Sequence, residues 1–345
     1  MRLLVISIIA LTIFQSKMAL GCTRCLHTGA KDTVVVGRSM DWVEDPGTEI
    51  YVFPQGMQRD GACGPSSIKW TSRYGSLVCS FYDAATVDGI NEKGLVANVL
   101  YLVESNYGKT VPGKPNLTIG AWAQFVLDNY ASVEEVVTEL RKEPFTIIAP
   151  ILPNGEPAQG HLSVSDPTGD SAIFEYVDGK LVVHHGRQYQ VMTNSPTYDQ
   201  QLTLNKYWEE IGGNVMLPGT SRAADRFVRT SFYNRSIPKT NDRNKTVASV
   251  FSIIRSVSVP LGLSTPGEPN IASTVWRTAY DQGSRIMYFD SATSPNVFWI
   301  EMSGLELGRG APVRKLALKG GKTYHGSAAP ELEPAQPFHF LPGKP

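Results

Sequence analysis

Short apolar runs separated by turn residues make up most of this chain, a pattern typical of β-strands. Such runs predict strands at 33–40, 76–82, 95–102, 162–166, 171–176, 180–185, 273–281, 284–291 and 297–302. Turn sequences lie between several of them: Asn-Glu-Lys-Gly precedes the third, and Asp-Gly separates the fifth from the sixth. The last three runs are predicted to form a hairpin with a neighbouring strand.

Helices are predicted in three segments. Residues 119–131 have a helix-forming composition, and a helix at 246–257 ends before Pro260. Between these two helices, Ser132 is followed three residues later by Glu135, which is a capping box that starts a further helix. The apolar positions of that helix then follow at helical spacing as one buried stripe: Val133, Val136, Val137 and Leu140.

The order of these elements is strands, two helices, strands, helices, strands. Clustered helices favour antiparallel sheets with helical layers outside them over a doubly wound parallel sheet, in which helices alternate singly with strands. The chain is therefore predicted to have an α+β fold. No repeat, low-complexity run or linker divides it. One domain is predicted over residues 22–345, with an irregular Pro- and Gly-rich tail after Gly320.

The first 21 residues have the pattern of a signal peptide. Arg2 precedes an apolar run at 3–14, well short of the ~20 residues that cross a bilayer as a helix. Ala19 and Gly21 have the spacing of small residues that a signal peptidase recognises. We predict export, with cleavage before Cys22. An uncleaved anchor is one alternative, and a lipoprotein signal, which also ends before a cysteine, is another.

Charge and cysteine content exclude several classes of protein. Removal of the leader leaves 30 basic against 32 acidic residues, a net charge of −2, whereas a nucleic-acid partner requires a basic excess. Four cysteines are too few for a disulfide scaffold in a chain of this length, although Cys63 could pair with Cys79 in an oxidising compartment. The histidines are scattered, so we predict neither a metal site nor a cofactor.

Cleavage before Cys22 would create a residue with two reactive groups. The thiol is a nucleophile, and the new α-amino group, with a pKa near 8 in model compounds, can take its proton without a histidine. Such a residue needs a carboxylate that holds the amine, a cation that favours the thiolate and a pair of donors for the oxyanion. A three-residue offset along a strand places Cys25 on the opposite face, as a buried and unreactive thiol.

Arg38 and Asp41 are candidates for the cation and the carboxylate. Both lie in Gly-Arg-Ser-Met-Asp-Trp at 37–42. They return to the Cys22 end if this strand pairs antiparallel with a strand at 22–27. An Arg-x-x-Asp sequence is common, and by itself it is more typical of a structural ion pair. Its coincidence with a cut that exposes a thiol favours the catalytic interpretation.

Five motifs occur in an order that resembles one known family. They are Cys-Thr-Arg at 22–24, Gly-Arg-Ser-Met-Asp-Trp at 37–42, DGINEKGL at 88–95, VMTNSP at 191–196, and LPG at 217–219 followed by RFVR at 226–229. Several are weak alone, but together they resemble the cholylglycine hydrolase and penicillin V acylase family. These are N-terminal-nucleophile enzymes that cleave linear amide bonds. The resemblance runs from Cys22 to about Phe340 and is strongest to exported Gram-negative penicillin V acylases.

The resemblance implies a four-layer αββα sandwich, commonly assembled as a homotetramer, and a location in the periplasm without stable membrane association. It implies that Cys22 is the nucleophile and, through its amine, the general base. Arg38 and Asp41 would flank it, with Asp41 binding the amine. Arg226 would complete the charged site.

The resemblance also implies an oxyanion hole and a substrate pocket. The side-chain amide of Asn194 and the backbone N–H of Tyr101 would be the two oxyanion donors. Trp42, Tyr82 and Tyr101 would line the acyl side, where flat rings suit a phenoxy group or a straight acyl chain. The expected substrate is a small amide: penicillin V and N-acyl homoserine lactones are favoured over conjugated bile salts, which stay as the alternative.

Structural interpretations of the same residues are open at this point. Asn194 before a Ser-Pro pair is typical of a turn, and Arg226 suits a helix surface. Trp42 and Tyr101 are also compatible with an ordinary core. Two other classes of protein compete with the amidohydrolase: a lipid-anchored binding protein modified at the first cysteine, and a thiol protease that uses His161 and Asn194.

Overall fold

The computed structural model describes residues 21–30, 33–212, 215–263 and 272–344. Apart from Gly21, the predicted signal peptide at 1–21 lies outside the described residues. Within them, no helix is both long enough and apolar enough to cross a membrane.

The described residues form twenty strands, most of them short. In chain order they are β1 Thr23–Thr28, β2 Val34–Trp42, β3 Ile50–Phe53, β4 Gln58–Asp60, β5 Lys69–Thr71, β6 Ser76–Phe81, β7 Ala85–Asn91, β8 Val96–Leu100, β9 Asn116–Thr118, β10 Thr146–Ile148, β11 His161–Ser165, β12 Ser171–Val177, β13 Lys180–His185, β14 Val191–Met192, β15 Ser273–Asp281, β16 Ile286–Ser291, β17 Val297–Glu301, β18 Arg314–Leu316, β19 Gly326–Ser327 and β20 Glu333–Pro334.

Five α-helices accompany the strands in the described ranges. They are α1 Trp122–Asn129, α2 Val133–Leu140, α3 Tyr198–Ile211, α4 Ala223–Ser236 and α5 Arg243–Ser256. Short 3₁₀ helices lie at Gly64–Ser66, Ile119–Ala121, Met302–Gly304 and Ala329–Glu331. Ser132 is the N-cap of α2, as predicted: its side chain accepts from the backbone N–H of Glu135. The reciprocal bond of the capping box is displaced by one residue, because the Glu135 carboxylate accepts from the backbone N–H of Ala131 and not from that of Ser132.

Two large sheets form the middle of the molecule. The seven-stranded sheet has the order β14-β1-β2-β15-β16-β17-β19, and the nine-stranded sheet has the order β13-β12-β11-β8-β7-β6-β3-β18-β20. Nearly all neighbouring pairs in these sheets are antiparallel, as the clustering of the helices predicts. The predicted pairing of the first two strands is confirmed, because β1 runs antiparallel to β2 with Arg24 opposite Arg38.

Three apolar layers show that the sheets and helices are stacked in four layers. One core fills the space between the two sheets and includes Leu26, Val36 and Leu77. A second lies between the nine-stranded sheet and α1 and α2, and a third between the seven-stranded sheet and α5. The predicted α+β fold, a four-layer αββα sandwich, is confirmed.

The sequence left open whether Cys63 pairs with Cys79, and in the structure both are free. Cys79 faces the core between the sheets, whereas Cys63 lies in a loop next to Gly343 and Ile148. One prediction about local structure is wrong. The tail after Gly320 is not simply irregular. It contributes β19 and β20 and places Phe338 and Phe340 in the core beneath α1 and α2.

The interpretation of Cys25 as a buried thiol is confirmed. Its side chain lies under α5, on the face of the seven-stranded sheet opposite the Cys22 side chain. Burial raises the pKa of this thiol to about 12, although Arg24 opposes the shift. A thiol with that pKa is protonated at neutral pH and is therefore a poor nucleophile.

Candidate active site

Cys22 lies directly before β1, facing the space between the two sheets. Its side chain is only 2% exposed. Because β1 pairs with β2, the thiol lies beside residues 38–41 of β2: Sγ is 3.8 Å from Nη2 of Arg38 and 3.8 Å from the backbone oxygen of Asp41. The structure thus brings together Cys22, Arg38 and Asp41, as the sequence predicts.

Arg38 is a buried cation that is fixed from both sheets. Its Nη1 donates to the backbone oxygen of Val87 across the interior at 2.5 Å, and its guanidinium lies 5.2 Å from the centre of the Trp276 ring. Asp88, next to Val87, is fully buried and accepts from Thr278 Oγ1 at 2.7 Å. Burial raises the pKa of Asp88, and the charge of Arg38 opposes that rise.

The electrostatic environment of the Cys22 thiol is mixed. Burial raises the pKa of the thiol, the Arg38 guanidinium lowers it, and the Asp41 carboxylate raises it. Burial is the largest of the three effects. The thiol therefore needs a proton acceptor within reach to become a nucleophile at neutral pH.

Asn194 connects Cys22 to two other predicted site residues. Its Oδ1 accepts from the backbone N–H of Cys22 and from Arg226 Nη2, the latter at 2.9 Å. Its Nδ2 donates to the backbone oxygen of Tyr101 at 2.6 Å. Because two donors contact one end of the amide and a carbonyl oxygen contacts the other, the first end is Oδ1 and the second is Nδ2. A side-chain amide has two N–H groups, so the second is available to an oxyanion.

Arg226 is fully buried, not on a helix surface. From the first turn of α4 its Nη1 donates to the backbone oxygen of Cys22 at 2.6 Å and to Thr23 Oγ1, and its Nε donates to the backbone oxygen of Ser221 at 3.0 Å. The same Nη1 lies 3.8 Å from Asp41 Oδ2. The guanidinium fork therefore joins the start of β1 to the end of β2.

Asp41 is fully buried, and only one of its two carboxylate oxygens accepts a hydrogen bond from the described part of the chain. Oδ1 accepts from Thr274 Oγ1 at 2.6 Å, whereas Oδ2 accepts no hydrogen bond among the described residues. Burial raises the pKa of this carboxyl to about 6, even though Arg226 lowers it. A Cβ added to Gly21 would lie 3.3 Å from Oδ2 and 3.0 Å from Arg226 Nη2, so Gly21 fills the space beside the available oxygen.

His161 supports the Asn194 segment, a role that the sequence did not indicate. Its Nε2 lies 2.8 Å from the backbone oxygen of Thr193, and its Nδ1 lies 2.8 Å from Glu175 Oε1. Both ring nitrogens are therefore engaged, one with the backbone of the Asn194 segment and the other with a buried carboxyl group. Glu175 Oε2 accepts from the backbone N–H of Tyr198 at the start of α3. Because both ring nitrogens are bonded to Thr193 and Glu175, His161 has no nitrogen left to accept the Cys22 proton, which argues against the thiol-protease interpretation.

A cleft of about 680 Å³, its open mouth included, leads to the Cys22 thiol. Its lining is mainly apolar and includes all three predicted aromatic residues, together with Phe81, which the sequence did not indicate: Trp42, Phe81, Tyr82 and Tyr101. The rings pack edge to face, with centroids 5.1 Å apart for Trp42 and Phe81 and 5.8 Å for Trp42 and Tyr101. Trp42 Nε1 donates to the Tyr82 hydroxyl at 2.9 Å, which fixes both rings.

In the parts of the chain that the structure describes, no group of three or more His, Cys, Asp or Glu side chains is arranged to hold a metal ion. The polar groups around the thiol are instead two arginines, one carboxylate and one amide, all buried. This is the donor and acceptor set that acyl transfer to a thiol requires.

Residues 22–315 match the family of linear amide C–N hydrolases, choloylglycine hydrolase family. The chain belongs to this family and is a linear amide C–N hydrolase. The match begins at the residue whose thiol lies at the end of the cleft.

Its relatives include penicillin V acylases and bile salt hydrolases. The chain is 49% identical to the penicillin V acylase of Pectobacterium atrosepticum over 360 residues, which cover 97% of this chain and 96% of that protein. The structure of penicillin V acylase from Agrobacterium tumefaciens is similar with a TM-score of 0.88 and 55% identity, over 93% of this chain and 100% of that one. The bile salt hydrolase/transferase of Clostridium perfringens is 28% identical over 295 residues, 77% of this chain and 88% of that protein.

Proposed function

We propose that the protein hydrolyses penicillin V and related small amides, with Cys22 as an N-terminal nucleophile. The observation that carries the proposal is the position of the Cys22 thiol at the end of an aromatic cleft, 3.8 Å from Arg38 and beside Asn194. The similarity to two penicillin V acylases supports the same substrate.

In this mechanism, removal of Gly21 and the residues before it converts the Cys22 peptide nitrogen into a free amine. That amine takes the thiol proton, and the ammonium that forms is stabilised by Asp41 Oδ2, the carboxylate oxygen that is free to accept. Arg38 stabilises the thiolate, because a cation at this distance in a dry site favours the charged form. No histidine is required.

The thiolate then attacks the carbonyl carbon of the amide. Negative charge that develops on the carbonyl oxygen is stabilised by the second N–H of Asn194 Nδ2 and by the backbone N–H of Tyr101. Collapse of the tetrahedral intermediate breaks the C–N bond, and the ammonium of Cys22 gives its proton to the leaving amine. Water hydrolyses the thioester by the same steps in reverse order, with the amine as base, and releases the acid.

The cleft favours a flat or straight acyl group. Burial of a phenyl-sized group contributes about 1.5–3 kcal/mol, and edge-to-face contact with Trp42 or Phe81 adds about 0.5–1.5 kcal/mol. A phenoxyacetyl group fits that description, and so does the straight chain of an N-acyl homoserine lactone. A rigid steroid requires a wider groove than one bounded by four packed rings. Conjugated bile salts are therefore the second candidate, supported by the bile salt hydrolase relative.

The test is a comparison of kcat/KM for penicillin V, glycocholate and N-decanoyl homoserine lactone with one preparation of enzyme. We expect penicillin V and the lactone to exceed glycocholate. A preference of tenfold or more for glycocholate, about 1.4 kcal/mol of transition-state stabilisation, would replace this proposal with the bile salt one.

The mechanism is tested separately by the state of the Cys22 amine. A chain with one extra residue before Cys22 should be inactive because the base is missing, and Cys22→Ser should lose turnover by orders of magnitude while it stays folded. Turnover by a chain that still carries the extra residue would contradict the mechanism.

Export to the periplasm is part of the same proposal, because the cut that frees the amine is the one predicted before Cys22. Intact mass of protein purified from the periplasm should correspond to residues 22–345. A lipid adduct on Cys22 would instead support the lipid-anchored binding protein.

A further inference from the structure

The C-terminal tail reaches the cleft that leads to Cys22. Leu341, four residues before Pro345, lines this cleft together with the aromatic residues. The family match covers residues 22–315, so Leu341 lies 26 positions beyond its end.

Hydrogen bonds on both sides of Leu341 fix its position. Its backbone N–H donates to the oxygen of Ala84 at 2.8 Å, and its backbone oxygen accepts from Thr118 Oγ1 at 2.9 Å. Two residues further on, the N–H of Gly343 donates to the oxygen of Ala62 at 2.9 Å. The backbone of the tail is thus attached next to the start of β7 and at the last residue of β9.

Aromatic packing anchors the residues just before Leu341. The Phe338 ring lies 5.1 Å from that of Tyr51 and 5.6 Å from that of Phe53, centre to centre. The Phe340 ring lies 5.6 Å from that of Phe338. Both phenylalanines are buried in the outer core, which is the core between the nine-stranded sheet and helices α1 and α2. Their packing keeps the tail, and with it Leu341, beside the cleft.

Small residues form the adjacent part of the cleft wall. Ala84, Ala85 and Gly120 all line the cleft near the position where Leu341 is attached. They are closely packed, since a Cβ on Gly120 would lie 3.0 Å from the Ala85 Cβ and 3.2 Å from the Ala84 oxygen. Leu341 and Ile119 are therefore the larger residues on this part of the wall, and Leu341 is the one that the tail contributes.

We propose that Leu341 is a specificity-determining residue, which narrows the acyl site so that flat or straight acyl groups are bound and wide polycyclic ones are excluded. This inference rests on the proposed function, because it takes the cleft to be the acyl site. It assigns selectivity to a tail segment that the family match does not include. Removal of the Leu341 side chain opens the cleft without disturbing Cys22, Arg38 or Asn194.

The test compares two amides that differ only in the acyl group, phenoxyacetylglycine and glycocholate, on wild type, Leu341→Ala and Leu341→Phe. Point variants are used because loss of the whole tail would expose the outer core. Leu307→Ala is the matched control, a leucine of similar partial burial that does not line the cleft. Binding of the product acids, phenoxyacetate and cholate, is measured by calorimetry on the same proteins.

We expect Leu341→Ala to raise the glycocholate to phenoxyacetylglycine ratio of kcat/KM by about tenfold or more, mainly through KM, since one methylene in an apolar pocket is worth roughly 10- to 200-fold. The cholate to phenoxyacetate ratio of affinities should rise in parallel. Leu341→Phe should lower both ratios, and Leu307→Ala should leave both unchanged.

The outcomes separate this inference from the proposed function. Ratios within about twofold of wild type in both Leu341 variants would overturn the role of Leu341, whatever the wild-type activity. A wild type that hydrolyses neither amide nor penicillin V would overturn the proposed function, and the affinity ratios for the two acids would still decide the inference. If Leu341→Ala does not fold, Leu341→Val provides the smaller step with the same expected direction.

Discussion

Asp41 provides a quantitative test of the charges around Cys22, through the substitution Asp41→Asn in a chain that retains Gly21. Burial raises the pKa of the Asp41 carboxyl from 3.8 to about 6 in the folded chain. The folded state therefore favours the protonated acid. The stability that this carboxyl contributes is complete well below pH 3.8 and is lost as the pH rises through 6.

The size of this effect follows from the shift. A change of about 2.2 pKa units at 1.36 kcal/mol per unit corresponds to about 3 kcal/mol of unfolding free energy. Asparagine has a similar shape but does not ionise, so the variant lacks this loss. The unfolding free energy of Asp41→Asn minus that of wild type should therefore increase by about 2.5 kcal/mol between pH 4 and pH 7.5, because the unfolded carboxyl is already partly ionised at pH 4.

The assay is urea unfolding followed by tryptophan fluorescence at several pH values across this range. Other buried carboxyls with raised pKa values, such as Asp88 and Asp128, are present in both proteins and cancel in the difference. A difference that changes by less than 1 kcal/mol would refute the reasoning, because Asp41 would then be ionised in the folded state at low pH. A chain that begins at Cys22 should show a smaller change, because its ammonium stabilises the carboxylate.

Three further predictions concern other parts of the molecule. Asn194→Ala removes an oxyanion donor and should reduce kcat by roughly 100- to 1000-fold; unchanged turnover would exclude Asn194 from the site. His161→Ala leaves the buried Glu175 carboxyl and the Thr193 backbone oxygen without their shared hydrogen-bond partner and should reduce the unfolding free energy by about 2–4 kcal/mol in urea titrations; a loss below 1 kcal/mol would contradict the supporting role of His161. The resemblance implies a homotetramer, and α3 exposes Tyr207 (56%) and Ile211 (47%) one turn apart. Tyr207→Lys with Ile211→Lys should therefore yield smaller species in sedimentation velocity, whereas a wild type that sediments as a monomer would contradict the assembly.

The parts of the fold that could be predicted from the sequence are those in which burial follows a simple period. In β12, apolar residues mark the strand between two turns, and in α2 one stripe of valine and leucine marks the buried face. The site was predicted in outline for a different reason. A short chain distance joins Cys22 to Arg38 and Asp41, so one antiparallel pair of strands is enough to bring them together.

Elements that escaped prediction bury polar groups or expose apolar ones. Helix α3 buries only Tyr198 and Gln201, so it has no apolar stripe. Strand β7 buries Asp88 in the interior. A buried carboxylate interrupts the apolar pattern by which strands are predicted, so this strand was not recognised. The approach of Leu341 to the cleft depends on a contact across more than 250 residues, which no local period reveals.

The pairing of β2 with β15 has a consequence for when the enzyme becomes active. Asp41 lies opposite Thr274, so the centre of the seven-stranded sheet joins the beginning of the chain to a strand more than 230 residues later. Contacts of such long sequence separation form slowly, because the loop entropy is lost before the pairing is gained. During refolding, hydrolytic activity should therefore return with the slowest phase, after helix signals have recovered, and turnover then reports completed folding of the whole chain.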